Sequence, residues 1–154
     1  MFKFNIVLVE PEIPPNTGNI ARTCAATGCR LFLVGKLGFS TEDKYLKRAG
    51  LDYWEHVKVE YKESIEDLIE EFGIENFYFL SKKASKNYSQ IKYKKNDFLV
   101  FGKETFGLSE RLLLKYKERT LRIPTENVRS LNLSTSCGIV LFEALRQNDF
   151  FGIN

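Results

Sequence analysis

Residues 4–10 read FNIVLVE, an apolar run that closes at Glu10 ahead of PEIPPN (11–16). An apolar run without polar alternation is the pattern of a strand buried on both faces, the kind found inside a parallel sheet. Pro14 and Pro15 cannot extend it. The spacing beyond predicts a helix capped by Asn16 or Thr17 and running through about Thr27, with Ile20 and Cys24 one turn apart on its inward face. Gly28 stops that helix, and RLFLVG (30–35) is the next strand. A short helix is expected around 42–49. SIEDLIEEFG (64–73) is amphipathic: Ser64 and Asp67 make a capping-box pattern, Ile65, Leu68, Ile69 and Phe72 line one face, and Gly73 ends it. NFYFLS (76–81) and DFLVFG (97–102) are further buried strands, SERLLLKY (109–116) a helix, TLRIP (120–124) a strand, and residues from about 131 to 147 the last helix. Strands alternating with helices imply an α/β fold, a parallel sheet with helices on both faces. No repeat or low-complexity linker divides the chain, so one domain over residues 1–154 is expected.

Composition narrows the function classes. Hydrophobic residues make up 44% and charged residues 28% of the 154, a globular balance and not a disordered one. No apolar run approaches the roughly 18 residues of a membrane span. The N-terminus MFKFNIVLVEPE also lacks a signal-peptide layout. Cys24, Cys29 and Cys137 form no CxxC pair and are odd in number, so reduced thiols in a cytoplasmic protein are expected. The net charge of +3 says less than its distribution. KKASKNYSQIKYKK (82–95) has six lysines and no acid, with Tyr88 and Tyr93 among them. A second basic group is KYLKRAG (Lys44, Lys47, Arg48), and a third runs through Lys115, Lys117, Arg119 and Arg122. Lysines interleaved with aromatics suit a partly single-stranded nucleic acid. A solvated loop kept soluble by lysine has the same composition.

Several familiar sites are excluded. There is no G-x-G-x-x-G after the first strand and no P-loop, and GKETFG (102–107) is followed by Leu108 where a P-loop has the lysine that holds phosphate. His56 has no Cys or His partner at metal-ligand spacing, so no metal is expected. What remains is a set of loops at strand ends, where parallel sheets bind ligands: those after Leu80, Phe101 and Ile123. FGKETFGL (101–108) puts Gly102 directly after a strand, then Glu104 and Gly107. Such glycines let backbone approach a ligand or take φ > 0, although a tight turn reads the same. In PPNTGNIAR (14–22), Asn16, Asn19 and Arg22 stand three apart and share a helical face, of which a cap explains Asn16 alone. IPTENVRSLNLSTS (123–136) crowds Arg129, Ser130, Asn132, Ser134, Thr135 and Ser136 at the approach to a buried helix.

EPEIPPNTGNIAR, KRAGLDYW, FGKETFGL and IP…RSLNLSTSCGIVLFEALRQ, taken in order from about residue 4 to 152, resemble the SPOUT superfamily of RNA methyltransferases. More narrowly they are similar to its TrmL-type tRNA 2′-O-methyltransferases. The resemblance implies a SPOUT fold with a C-terminal trefoil knot, a homodimer, and S-adenosylmethionine as methyl donor. The implied acceptor is the ribose 2′-hydroxyl of the wobble nucleotide in tRNA anticodon loops. The same chemistry on another tRNA or ribosomal RNA nucleotide, or a non-catalytic RNA-binding module, are the alternatives. By the resemblance, Leu80, Gly102, Ile123, Leu131 and Ser136 hold the donor, with Gly102 lacking a side chain that would obstruct it. Arg22 holds a phosphate and polarises the hydroxyl, while Glu104, Ser130 and Asn132 position ribose and donor. Asn16, Asn19, Lys44, Lys47, Arg48, Lys82, Lys83, Lys86 and Arg129 are the candidates for RNA. Related sequences often have proline and arginine in the second motif, where this chain has Lys103 and Phe106.

Overall fold

The computed structural model describes residues 2–42, 44, 46, 48 and 54–154. Within them lie the strands β1 (Asn5–Val9), β2 (Arg30–Val34), β3 (Val59–Lys62), β4 (Phe77–Leu80), β5 (Lys86–Asn87), β6 (Phe98–Phe101) and β7 (Thr120–Arg122). They form one sheet in the order β3-β2-β1-β6-β4-β7-β5, and every neighbouring pair is parallel. The longer helices are α1 (Pro14–Thr27), α2 (Ile65–Phe72), α3 (Glu110–Lys115) and α4 (Leu133–Gln147).

The apolar runs explain the centre of this order. Strand β1 lies between β2 and β6, with Asn5 opposite both Arg30 and Phe98, and all four residues of β6 are buried. Because side chains alternate along a strand, Ile6 and Leu8 face the layer of α1 and α4, where Ile20, Cys24, Leu141 and Leu145 complete one core. Val7 faces the other layer with Phe32, Phe77 and Phe79, against Leu68 and Ile69 of α2 and Leu112 of α3. Burying each large side chain contributes about 1.5–3 kcal/mol, so a strand buried on both faces anchors two layers at once.

Several expectations shift. Helix α1 starts at Pro14 with Ile13 as N-cap, so Asn16 and Thr17 lie inside its first turn and do not cap it. Two prolines at the first positions lose nothing there, because those N–H groups have no intrahelical acceptor anyway. Helix α2 matches the sequence: Ser64 Oγ accepts from the Asp67 N–H at 3.1 Å and Gly73 ends it at φ 88°. The last helix begins at Leu133 and not 131, with Asn132 as its cap. Strands β3 (VEYK) and β5 (KN) carry no apolar run and are the two sheet edges, which is why periodicity does not find them. Of the helix expected around 42–49, positions 44, 46 and 48 are helical and the alternate ones from 43 to 49 lie outside the described residues.

Beyond α4 the chain makes a left-handed turn: φ is positive at Asp149, Phe150, Phe151 and Gly152. Each non-glycine residue held there costs roughly 1–2 kcal/mol. Phe150 and Phe151 offset this by packing on the α1–α4 core, where the Phe151 ring meets Phe4 edge-on at 5.8 Å.

Candidate functional site

The carboxyl ends of β4, β6 and β7 open on one cavity of ≈ 380 Å³. Leu80 ends β4, Phe101 and Gly102 close β6, and Ile123 follows β7. The fourth wall is the run from Arg129 to Ser136 at the start of α4. The three loops selected by the strand-end rule therefore face one space.

The loop after β6 is a tight hairpin. Lys103 and Gly107 form an antiparallel bridge, the Gly107 N–H donates to the Lys103 carbonyl at 2.8 Å, and Gly107 has φ 68°. A Cβ on Gly102 would lie 2.1 Å from the Gly107 carbonyl carbon and 2.3 Å from the Leu108 nitrogen. Glycine at 102 is thus dictated by the hairpin's own backbone, which favours the tight-turn reading of this loop.

Inside the hairpin, Glu104 reaches across to the start of α1. Its carboxylate accepts from the Glu12 N–H (2.9 Å), the Ile13 N–H (2.9 Å) and the Asn16 side-chain amide (3.1 Å). Ile13 has no side-chain oxygen to offer as a cap, so a distant carboxylate caps α1, where the helix's partial positive charge favours it. Asn16 is 6% exposed and its Oδ1 in turn accepts from Asn132 Nδ2 at 3.0 Å. Asn132 Oδ1 takes the Ser134 and Thr135 N–H groups and the Ser134 hydroxyl. A chain Glu104–Asn16–Asn132 therefore joins the hairpin, α1 and α4 on one side of the cavity. Glu12 locks the hairpin from the opposite direction. Its carboxylate accepts from Thr105 Oγ1 (2.7 Å) and the Thr105 N–H (3.0 Å), bonds that hold it below the usual carboxylate range.

All five residues expected around the donor, Leu80, Gly102, Ile123, Leu131 and Ser136, line this cavity. So do Glu104, Ser130 and Asn132, and from the RNA set Asn16, Lys82, Lys83 and Arg129. Lys83 is 3.2 Å from Glu110 and Lys103 is 3.6 Å from Glu10; both pairs are open to solvent and weak. Arg22 and Asn19 are exposed on α1, Lys86 is exposed on β5, and Lys44 and Arg48 are exposed; these five do not line the cavity. Lys47 lies outside the described residues. Sequence reasoning missed Ile13, Thr105 and Leu108 as lining residues; the places of Thr105 beside Glu104 and Leu108 beside Gly107 could have signalled those two, and Ile13 carried no signal of its own.

Two basic or aromatic candidates are engaged by the fold itself, Tyr93 buried and Arg119 half-buried. Tyr93 is buried, its hydroxyl donates to the Tyr88 carbonyl, and burial pushes its ionisation far up, so it offers no face to a base. Arg119 donates to the Phe77 and Glu75 carbonyls and lies 4.7 Å from the Tyr78 ring centre. The three thiols are free and buried, and burial raises the ionisation of each. No helix among the described residues is long and apolar enough to cross a membrane.

The chain is similar in sequence and fold to known proteins. A tRNA (cytidine(34)-2′-O)-methyltransferase of Methylovorus glucosotrophus is 49% identical over 151 residues, 97% of this chain and 98% of its own. A solved structure described as giving insights into the 2-OH methylation of C/U34 on tRNA superposes with a TM-score of 0.89 at 39% identity, over 95% of this chain and 96% of that one. An AdoMet-bound rRNA methyltransferase from Sinorhizobium meliloti gives a TM-score of 0.82 at 28% identity, over 94% of this chain and 56% of that one. The sequence profile described as the SpoU rRNA Methylase family matches residues 3–142. With its strand-end cavity and hairpin held by Glu104, this chain belongs to the SpoU methylase family.

Proposed function

We propose that this protein transfers a methyl group from S-adenosylmethionine to the ribose 2′-hydroxyl of nucleotide 34 in tRNA. The observation that carries the reading is the single cavity joining three parallel strand ends to the polar approach of α4, in a chain with near-full-length relatives named for that reaction. The cavity suits the donor. Its volume lies within the roughly 300–1,000 Å³ of small-molecule sites. Leu80, Leu108, Ile123 and Leu131 supply an apolar bed, and Asn132 and Ser136 supply polar groups at the mouth of a helix.

When bound, S-adenosylmethionine supplies a methyl already activated on a sulfonium, so the protein's task is alignment, which can contribute up to roughly 7–11 kcal/mol. Glu104 and Asn132 do this at one remove, by fixing the walls against which the reactants lie. Ser130 lines the wall nearest Arg129 and is our choice for a direct ribose contact. Arg22 stands on α1 outside the cavity lining, where it can hold a phosphate of RNA laid across the site. A guanidinium stays charged, so it polarises the hydroxyl and does not take its proton. Lys82, Lys83 and Arg129 meet the flanking phosphates, and Lys86, Lys44, Lys47, Arg48 and Asn19 are the further candidates for RNA contact.

The same reading includes one SPOUT domain over residues 1–154, the C-terminal trefoil knot, a homodimer, the anticodon stem-loop as the bound part of tRNA, and a cytoplasmic location. It is tested by incubating the protein with labelled S-adenosylmethionine and tRNA lacking the modification, then mapping the product by mass spectrometry. A 2′-O-methyl group at nucleotide 34 is the expected result. Label on another ribose would move the target, and donor binding without transfer to any RNA would overturn the enzymatic reading.

A further inference from the structure

The most exposed large apolar side chain of the described residues is Phe106, at 82%, and it lines the mouth of the strand-end cavity. An isolated surface aromatic needs no explanation; one that is held out does. Phe106 occupies the turn of the hairpin closed by the Lys103–Gly107 bridge. Its neighbour Thr105 is tied twice to Glu12, and Glu104 three times to the start of α1. Gly102 is wedged against the Gly107 backbone below it. These contacts fix the backbone of the hairpin, and the ring stands out from that braced support, exposed at the cavity mouth. Around the same opening stand the cations of Lys82, Lys83 and Arg129.

We propose that Phe106 is the stacking platform for the base of the nucleotide whose ribose is methylated, a role that rests on the tRNA methyl-transfer reading above. The reacting ribose must reach the cavity mouth, and its base lies one glycosidic bond away, within reach of a ring that lines that mouth. Anticodon-loop bases are single-stranded and can be splayed onto an aromatic side chain. The surrounding cations are placed for the two phosphates that flank such a nucleotide. A ring face reads no hydrogen-bonding edge, so this platform accepts cytosine and uracil alike and leaves the choice of tRNA to contacts elsewhere.

The test uses the full chain, an unmodified anticodon stem-loop RNA, and two copies of it made abasic at nucleotide 34 or at nucleotide 35. F106A and F106L are expected to lower kcat/KM for the intact RNA by roughly tenfold or more, mainly through KM. F106W should stay near the wild type, and titration with S-adenosylmethionine should give unchanged donor affinity in all three. On the abasic-34 RNA the wild type should fall to the F106A level, with no further loss from the substitution; the abasic-35 RNA should keep the full F106A effect. The proposal is overturned if F106A matches the wild type on intact RNA, or if its loss persists on abasic-34 RNA. Failure of the wild type to methylate nucleotide 34 at all would overturn the functional reading and this platform with it.

Discussion

At the scale of single residues, Glu104 is the tie between the hairpin and the start of α1. Three donors from the start of α1 converge on it. Glu104→Ala strands all three, and unpaired donors of this kind cost about 1–3 kcal/mol each when water cannot replace the acceptor. A loss of about 2 kcal/mol or more in chemical denaturation, with weakened donor binding, is expected, and Glu104→Gln should lose less. An unchanged denaturation midpoint for the alanine variant would contradict the account. Gly102→Ala places a methyl against the Gly107 carbonyl; it should shift the hairpin and reduce donor affinity at least about tenfold by calorimetric titration. Asp97 sets a pH dependence. It is 1% exposed, accepts from the Lys94 N–H at 2.7 Å through Oδ2, and has no partner for Oδ1 among the described residues. Burial pushes its carboxyl up from the ordinary 3.8 to about 6. The folded state then binds the proton more tightly than the unfolded chain, so this group's stabilisation is full below pH 3.8 and lost as pH rises through about 6. The loss is about 3 kcal/mol at 1.36 kcal/mol per unit. Urea midpoints measured from pH 4 to 7 should fall less steeply in Asp97→Asn than in the wild type.

At the scale of elements, what the sequence reveals follows what each element is made of. Strands β1, β2, β4 and β6 are written as apolar runs because both of their faces are covered, and α2 is legible because Ser64, its amphipathic face and Gly73 all agree. The start of α1 is not legible. Its cap is a side chain 91 positions away from Ile13, and no local pattern can announce a cap brought in by the fold. Edges β3 and β5 are hidden for the opposite reason, since half-exposed strands dress themselves in charge. The candidate site divides the same way. Its walls, at strand ends and at the polar approach to α4, were readable, whereas the burial of Tyr93 and the tying of a half-buried Arg119 to the Phe77 and Glu75 carbonyls depend on which way a strand or loop turns in three dimensions. The cap on α4 is local and testable. Asn132→Ala removes the acceptor for the Ser134 and Thr135 N–H groups and the donor to Asn16. The cap alone contributes about 1 kcal/mol, and an accompanying drop in thermal midpoint of at least a few degrees is expected.

Over the whole molecule the charge excess is small, +3, and Lys82, Lys83, Lys103 and Arg129 stand around the cavity. Replacing Lys82, Lys83 and Lys86 by alanine should weaken binding to an anticodon stem-loop. The slope of log affinity against log salt should drop by about 2, near 0.7 per lost phosphate contact on a single strand, while S-adenosylmethionine still binds. Unchanged RNA affinity would remove this face from the RNA path. The route by which the chain reaches this shape carries a consequence of its own. The bond from Asn132 to Asn16 spans 116 positions, and that from Glu104 to Asn16 spans 88. Contacts between such remote stretches demand long loop closures, which place them late in assembly and slow it. Helices and single strand pairs can form before the cavity has walls. After dilution from denaturant, far-UV circular dichroism should therefore recover ahead of donor-binding competence, and the interval between the two would time the moment when separate stretches of chain become an enzyme.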